Sequence, residues 1–143
     1  MNGMGKGTLR LVAALAIGSL AAVVIAAICF SLMRAAWPAY VTAEPTKAYT
    51  LSMMLARLSI GVLCAAGAAC VATIVAGDDG RAAWWLGAFF VVISLPDHLY
   101  YVWDDYPVWY HFVYLGYLVP VAVFSARAFL SWTGHRGLRR AVA

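Results

Sequence analysis

Charged residues are scarce in this chain. Asp, Glu, Lys and Arg make up 11% of its 143 residues, whereas hydrophobic residues make up 65%. A soluble domain of this length exposes a large share of its residues to water and needs much more polar surface. The composition therefore excludes an ordinary soluble domain. Without a basic stripe on a soluble surface, nucleic acid is not expected as a partner.

Cysteine is scarce as well. The chain has three, Cys29, Cys64 and Cys70, and no two of them form a C-x-x-C pair. An odd number of widely spaced cysteines in apolar stretches does not make a disulfide framework. We interpret all three as small apolar packing residues.

Long apolar runs are what the sequence has in abundance. A hydrocarbon core about 30 Å thick needs about 20 apolar residues per helix, and an unbroken apolar run crosses it as a helix because a helix satisfies its own backbone. We therefore predict an all-α integral membrane protein, a four-transmembrane-helix bundle forming a single membrane domain over residues 1–143. The first run is too long for the core of a signal peptide, so we expect a retained helix. The predicted spans cover about 11–33, 49–76, 83–103 and 107–131.

The basic residues are divided unevenly between the two ends of this bundle. Arg34 and Lys47 would lie at one end, and Arg57 lies inside a span. Because positive charge is retained in the cytoplasm, we predict cytoplasmic N- and C-termini in a multi-pass protein of the inner membrane. The basic segment 135–140 would then rest on anionic lipid headgroups. The seven residues of the other end are Lys6, Arg10, Arg81, Arg127, Arg136, Arg139 and Arg140.

Ionisable residues collect near one end of the predicted spans. Asp97 and His98 end the third span, His111 begins the fourth, and Arg57 lies in the second. At 1.5 Å of rise per residue, both histidines fall about 7 Å inside the boundary. A charge inside a span costs about 3 kcal/mol or more, so such residues pair with one another, line a cavity or take part in function. A structural Asp97–Arg57 pair and a functional site are both open at this point.

The functional interpretation is a polar pocket near the outer, periplasmic face. We predict that it binds a small ligand, an ion or a partner subunit without catalysis. Apart from the lipid bilayer, the partner would be a membrane subunit, for which this chain is an accessory subunit, or a second copy in a homo-oligomer. Small residues at every fourth position from Ala14 to Ala26 would allow close helix contact. The candidate ligand-binding residues are Arg57, Asp97, His98, Tyr101, His111 and Tyr114.

A membrane-embedded enzyme is the first alternative on the same residues. Asp97 or a histidine would act as general base, and a tyrosine or the other histidine as acid. Arg57 would hold an anionic group of the substrate. The candidate catalytic residues are then Asp97, His98 and His111.

A copper or zinc site is the second alternative. Twelve residues separate His98 from His111 across a short turn, and Asp97 or Glu44 would add an oxygen ligand. The spacing resembles the H-x12-H element of the copper-binding subunit of membrane methane monooxygenases over about fifteen residues. That family has an aspartate where this chain has Ser94, so its function is not transferred.

Overall fold

The fold is known from a computed structural model that describes residues 3–77 and 80–142, with side chains for 7–77 and 80–134. Within these ranges the chain is helical and contains no strand. The basic segment 135–140, expected on lipid headgroups, lies outside the described side chains. The elements are α1 (Gly3–Ala36), α2 (Pro38–Ala43), α3 (Leu51–Ala76), α4 (Arg81–Pro96), a π-helical turn (Asp97–Tyr101), a 3-10 turn (Trp103–Asp105) and α5 (Val108–Val142).

Four helices are long and apolar enough to cross a membrane. They run over Gly7–Ala36, Leu51–Ala76, Arg81–Tyr101 and Val108–Gly134, the four regions in which the sequence predicts spans. The prediction of an all-α chain with four apolar helices of spanning length is confirmed. We call the end formed by residues 37–50 and 102–107 the distal end. We call the opposite end, at which α1 begins and α5 ends, the terminal end.

The terminal half is packed through small residues. Ala14, Ala68 and Ala72 are fully buried around Leu86, which joins α1, α3 and α4. A Cβ on Gly18 would lie 3.0 Å from Leu86 Cδ2 and 3.1 Å from the Ala68 carbonyl oxygen, so glycine allows a closer approach of α1 here than a larger residue would. The first members of the predicted small-residue stripe of α1 therefore pack within the chain.

Contacts of the same kind join α4 to α5. A Cβ on Gly87 would lie 2.9 Å from the Val119 Cα. Ala83, Ala122 and Ala126 form a fully buried cluster with a residue of α3. Because the helices approach so closely in this half, the space that remains inside the bundle lies toward the distal end.

Two ion pairs fasten the distal end. Arg34, in the last turn of α1, donates to both carboxylate oxygens of Glu44 at 2.7–3.2 Å. The hydrogen bonds from Arg34 lower the pKa of Glu44. Lys47 adopts a left-handed backbone with φ of 54° and pairs with Asp105. Glu44 is therefore the ion-pair partner of Arg34, and Asp105 is the partner of Lys47.

Candidate functional site

A cavity of about 480 Å³ lies in the distal half of the bundle, between α1, α3, α4 and α5. Its deeper wall is apolar and includes Ala22, Ala26, Phe90 and Leu118. Its distal wall is polar and aromatic. The polar and aromatic residues of that wall are Phe30, Arg57, Ser94, Asp97, His98, Tyr101, Tyr106, Tyr110 and Tyr114.

Pro96 and the π-helical turn after it set the positions of the polar residues on α4. Proline has no N–H to donate, so the helical ladder is interrupted there. The chain continues as a π turn in which the Val102 N–H donates to the Asp97 carbonyl at 3.0 Å, five residues back. His98 is turned inward and only 8% exposed, whereas Asp97 is exposed at the rim. The sequence predicts the interruption at Pro96, but not the π turn, a feature common at functional sites.

The two histidines form a hydrogen-bonded pair. His98 Nδ1 and His111 Nδ1 are 2.9 Å apart, with the rings nearly perpendicular at 84°. Two imidazole nitrogens on one tetrahedral zinc ion would be about 3.4 Å apart, given Zn–N bonds of about 2.0–2.1 Å. The observed separation is that of a hydrogen bond. Among the described residues, no group of three His, Cys, Asp or Glu is placed to hold a metal ion.

The partners of His111 fix the tautomers of both rings. His111 Nε2 lies 3.3 Å from the carbonyl oxygens of Trp103 and Tyr106. Carbonyl oxygens only accept, so Nε2 carries the hydrogen and a neutral His111 has its lone pair at Nδ1. His98 Nδ1 must then donate to it. This leaves Nε2 of His98 as the acceptor nitrogen of a ring that lines the cavity.

Stacked aromatic rings hold the histidine pair in place. The Tyr114 ring stacks on His98 at a centroid distance of 4.4 Å, and Trp103 stacks on His111 at 4.9 Å. Tyr110 lies nearly parallel to His98 at 6.3 Å. His111 is 2% exposed and does not line the cavity. It therefore orients His98 and is not itself in contact with the cavity.

Arg57 lies among aromatic rings instead of beside a carboxylate. Its Nη1 donates to the Tyr40 hydroxyl and, at 3.5 Å, to that of Tyr49. The guanidinium carbon lies 4.9 Å from the ring centre of Tyr49, 5.2 Å from Phe30 and 5.6 Å from Tyr106. Nε of Arg57 is buried without a hydrogen-bond partner.

No carboxylate among the described residues lies within ion-pair distance of Arg57. In the part of the chain that the structure describes, the ion pairs are Arg34–Glu44 and Lys47–Asp105, and neither includes Arg57. The hypothesis of a structural Asp97–Arg57 pair is therefore wrong. Burial raises the pKa of the Tyr40 and Tyr106 hydroxyls, so these phenols stay neutral and supply no negative charge.

The structure brings most of the predicted ligand-binding residues to one cavity. Arg57, Asp97, His98, Tyr101 and Tyr114 line it, and His111 supports His98 from behind.

Sequence reasoning missed the tyrosines around Arg57. Tyr40, Tyr49 and Tyr106 lie at or between the ends of the predicted spans, where tyrosine is common for another reason, its preference for the membrane interface. Arg57 itself is the feature of the sequence that could have indicated them. A cation within a span needs polar or aromatic side chains around it, and no carboxylate precedes Arg57 in that run.

Together, the fold and the site define a small bundle of four helices, each long and apolar enough to cross a membrane, with a cavity that is apolar on one wall and polar on the other. Comparisons of the chain with protein-family models, with curated proteins and with solved structures gave no match.

Proposed function

We propose that the protein spans the inner membrane four times, with both termini in the cytoplasm, and binds a small ligand in the cavity near the periplasmic face without transforming it. The observation that carries this proposal is an arginine cation at the cavity wall with no carboxylate partner in the described chain. A charge inside an apolar span costs about 3 kcal/mol or more, which a purely structural residue would offset with a counter-charge.

The charge distribution supports the proposed orientation. Arg34 and Lys47, at the distal end, are each paired with a carboxylate. Arg10, Arg81 and Arg127 belong to the terminal half of the bundle. Lys and Arg are more numerous at the terminal end, and these residues are retained in the cytoplasm whether or not a carboxylate lies nearby. The proposed orientation therefore places the terminal end in the cytoplasm and the cavity toward the periplasm.

The test is to identify what the protein carries. The full chain is purified in mild detergent, extracted with organic solvent, and the extract is analysed by mass spectrometry. Ala26→Phe fills the cavity, and Ala27→Phe adds the same ring to an exposed neighbour outside it. A ligand present in stoichiometric amount in the wild type and in Ala27→Phe, but lost from Ala26→Phe, supports the proposal. Equal extracts from all three contradict it.

A membrane enzyme is the second candidate, because the tautomer of His98 provides a base at the cavity wall. Its Nε2 accepts a proton while Nδ1–H stays bonded to His111, so the pair can share the resulting charge. His98→Asn removes this base. If the wild-type extract contains a compound of different mass from that in the His98→Asn extract, chemistry occurs in the cavity. The same compound in both supports binding alone.

A further inference from the structure

We infer that the ligand is an amphiphile with an acidic headgroup, which enters the cavity from the bilayer through a lateral opening between α1 and α4. The acid contacts Arg57, and the apolar chain lies against the deeper wall. This inference rests on the proposed function and adds the chemical class of the ligand and its route of entry.

The state of Arg57 specifies the acid. The guanidinium carbon lies within 5.6 Å of the ring centres of Phe30, Tyr49 and Tyr106. Nη1 donates to the hydroxyls of Tyr40 and Tyr49, and the group is also hydrogen-bonded to Tyr110. Nε is without a partner, so the donors of the group are not all used. A planar guanidinium that lines the cavity and has no ion-pair partner among the described residues matches a carboxylate or phosphate.

His98 specifies a second feature of the headgroup. Its Nε2 is an acceptor, as the bonds of His111 to two carbonyl oxygens require. A hydroxyl on the headgroup can donate to it. The acid binds to Arg57 and the hydroxyl to His98, so the two groups together orient the ligand.

The deeper wall specifies an apolar chain. Ala22 and Ala26 on α1, Phe90 and Ile93 on α4, and Leu118 on α5 line it. None of them offers a side-chain hydrogen bond, and alanines leave room for a chain. A volume of about 480 Å³ lies within the usual range of small-molecule sites, about 300–1,000 Å³.

The opening lies between α1 and α4. These helices touch at Gly18 and Leu86 in the terminal half. Farther along, Val23 on α1 is 64% exposed and Ile93 on α4 is 49% exposed, and both line the cavity. The lining residues of α3 and α5 are more buried, as at Ile60 and Leu118.

The depth of this opening selects for molecules dissolved in the membrane. Val23 lies near the middle of its span, Gly7–Ala36, and Ile93 near the middle of Arg81–Tyr101. At that depth the opening meets hydrocarbon. A lipid with an anionic headgroup can enter there. Asp97 and Tyr101 line the exposed distal rim of the same cavity, so inorganic phosphate is included in the test as the probe for entry from water.

The test measures lipid binding by native mass spectrometry of the detergent-solubilised full chain. The probes are dioleoyl phosphatidylglycerol, dioleoyl phosphatidylcholine and inorganic phosphate. Phosphatidylglycerol offers a net negative phosphate and hydroxyls, and phosphatidylcholine balances its phosphate with a cation. We expect the first to bind about tenfold more tightly than the second, and inorganic phosphate at the same concentration not to displace it.

Matched variants locate the bound lipid. Arg57→Gln should weaken phosphatidylglycerol binding about tenfold. Arg57→Lys keeps the charge but loses the planar guanidinium, so its affinity for phosphatidylglycerol should lie between those of Arg57→Gln and the wild type. Arg127→Gln removes an exposed arginine of α5 outside the cavity and should change binding less than about twofold. Ile93→Trp, at the opening, should slow loading without removing Arg57.

Three results overturn the inference. They are unchanged binding in Arg57→Gln, equal binding of the two lipids, and displacement of the lipid by inorganic phosphate, which would indicate a water-soluble anion. If Arg57→Gln unfolds, Arg57→Lys and Ile93→Trp decide between the outcomes. A neutral compound that co-purifies with the wild type and is lost from Ala26→Phe would leave the proposed function standing and reject the acidic lipid alone.

Discussion

His98 and His111 face each other through their Nδ1 atoms, 2.9 Å apart, and only one tautomeric arrangement of neutral rings satisfies both. The two carbonyl oxygens at His111 Nε2 make that nitrogen a donor, which makes His98 the donor within the pair. A residue outside the cavity thereby determines the chemistry that a residue inside it offers to a ligand.

This arrangement is open to nitrogen NMR. When both imidazole rings are neutral, we expect ¹⁵N-labelled protein to show His98 protonated at Nδ1 and His111 protonated at Nε2. The variants His98→Asn and His111→Asn assign the resonances. The opposite tautomer at His98 would contradict the bond to His111.

Replacing His111, which accepts the hydrogen bond from His98, should destabilise the protein. His111→Ala leaves the Nδ1–H of His98 without its acceptor in a site only 8% exposed, which costs about 1–3 kcal/mol. The control is Phe112→Ala at the next position, a side chain 69% exposed. Thermal unfolding in detergent measures both. Equal losses in the two variants would show that the histidine bond is not the cause.

Arg57 and Asp97 should act independently in stability. Because they form no ion pair, the effects of Arg57→Met and Asp97→Asn on the free energy of unfolding should add to within about 0.5 kcal/mol in the double variant. Denaturant titration of the four proteins gives the coupling energy. A coupling above about 1 kcal/mol would mean that the two residues form the structural pair that the structure lacks.

Gly61 should not tolerate a side chain. A Cβ there would clash with the Tyr117 hydroxyl oxygen. That hydroxyl donates to the Leu58 carbonyl oxygen at 3.2 Å. Gly61→Ala should therefore destabilise the protein by about 1–3 kcal/mol, and Tyr117→Phe in the same chain should restore part of the loss. Gly116→Ala, where a Cβ meets nothing within 4 Å, is the control and should be neutral or stabilising. The same loss at both positions would contradict the close contact.

The tie between Arg34 and Glu44 should weaken in acid. The pKa of Glu44 is lowered in the folded protein, so the stability that this group contributes is present at neutral pH. It is lost as the pH falls below the ordinary value of 4.5 and through the lowered pKa. Thermal unfolding of wild type and Arg34→Gln should differ at pH 7 and converge toward pH 3. A constant difference across this range would exclude Glu44 as the titrating partner.

Much of the fold could be predicted from the sequence, because the apolar runs around residues such as Ala14 and Ala68 are long enough to require helices in lipid. The positions of Arg57, Asp97 and His98 near one end follow from counting residues along those helices. Which of these residues contact one another does not follow from that count. A counted position gives depth but not rotation, and the rotation of α3 decides whether Arg57 meets Asp97 or the aromatic rings.

Two local features of the structure could not be predicted from the pattern of apolar and polar residues. The short helix α2 folds back to bring Tyr40 to Arg57, seventeen residues later in the chain, and periodicity does not report such a contact. The π turn at Asp97–Tyr101 changes the direction in which each of its side chains points, relative to a continuous α-helix. Proline at 96 indicates an interruption, but whether the ladder resumes with four-residue or five-residue spacing depends on packing.

The central claim, that Arg57 meets the acid of a ligand and not one of the chain's own carboxylates, is tested most directly by solid-state NMR. Labelled protein in bilayers containing phosphatidylglycerol would be measured for dipolar contacts of the arginine side-chain nitrogens, with Arg57→Gln identifying the signal. The account predicts a contact with lipid phosphorus that disappears in Arg57→Gln, and none with the Asp97 carboxylate carbon. A contact with Asp97 and none with phosphorus would contradict it.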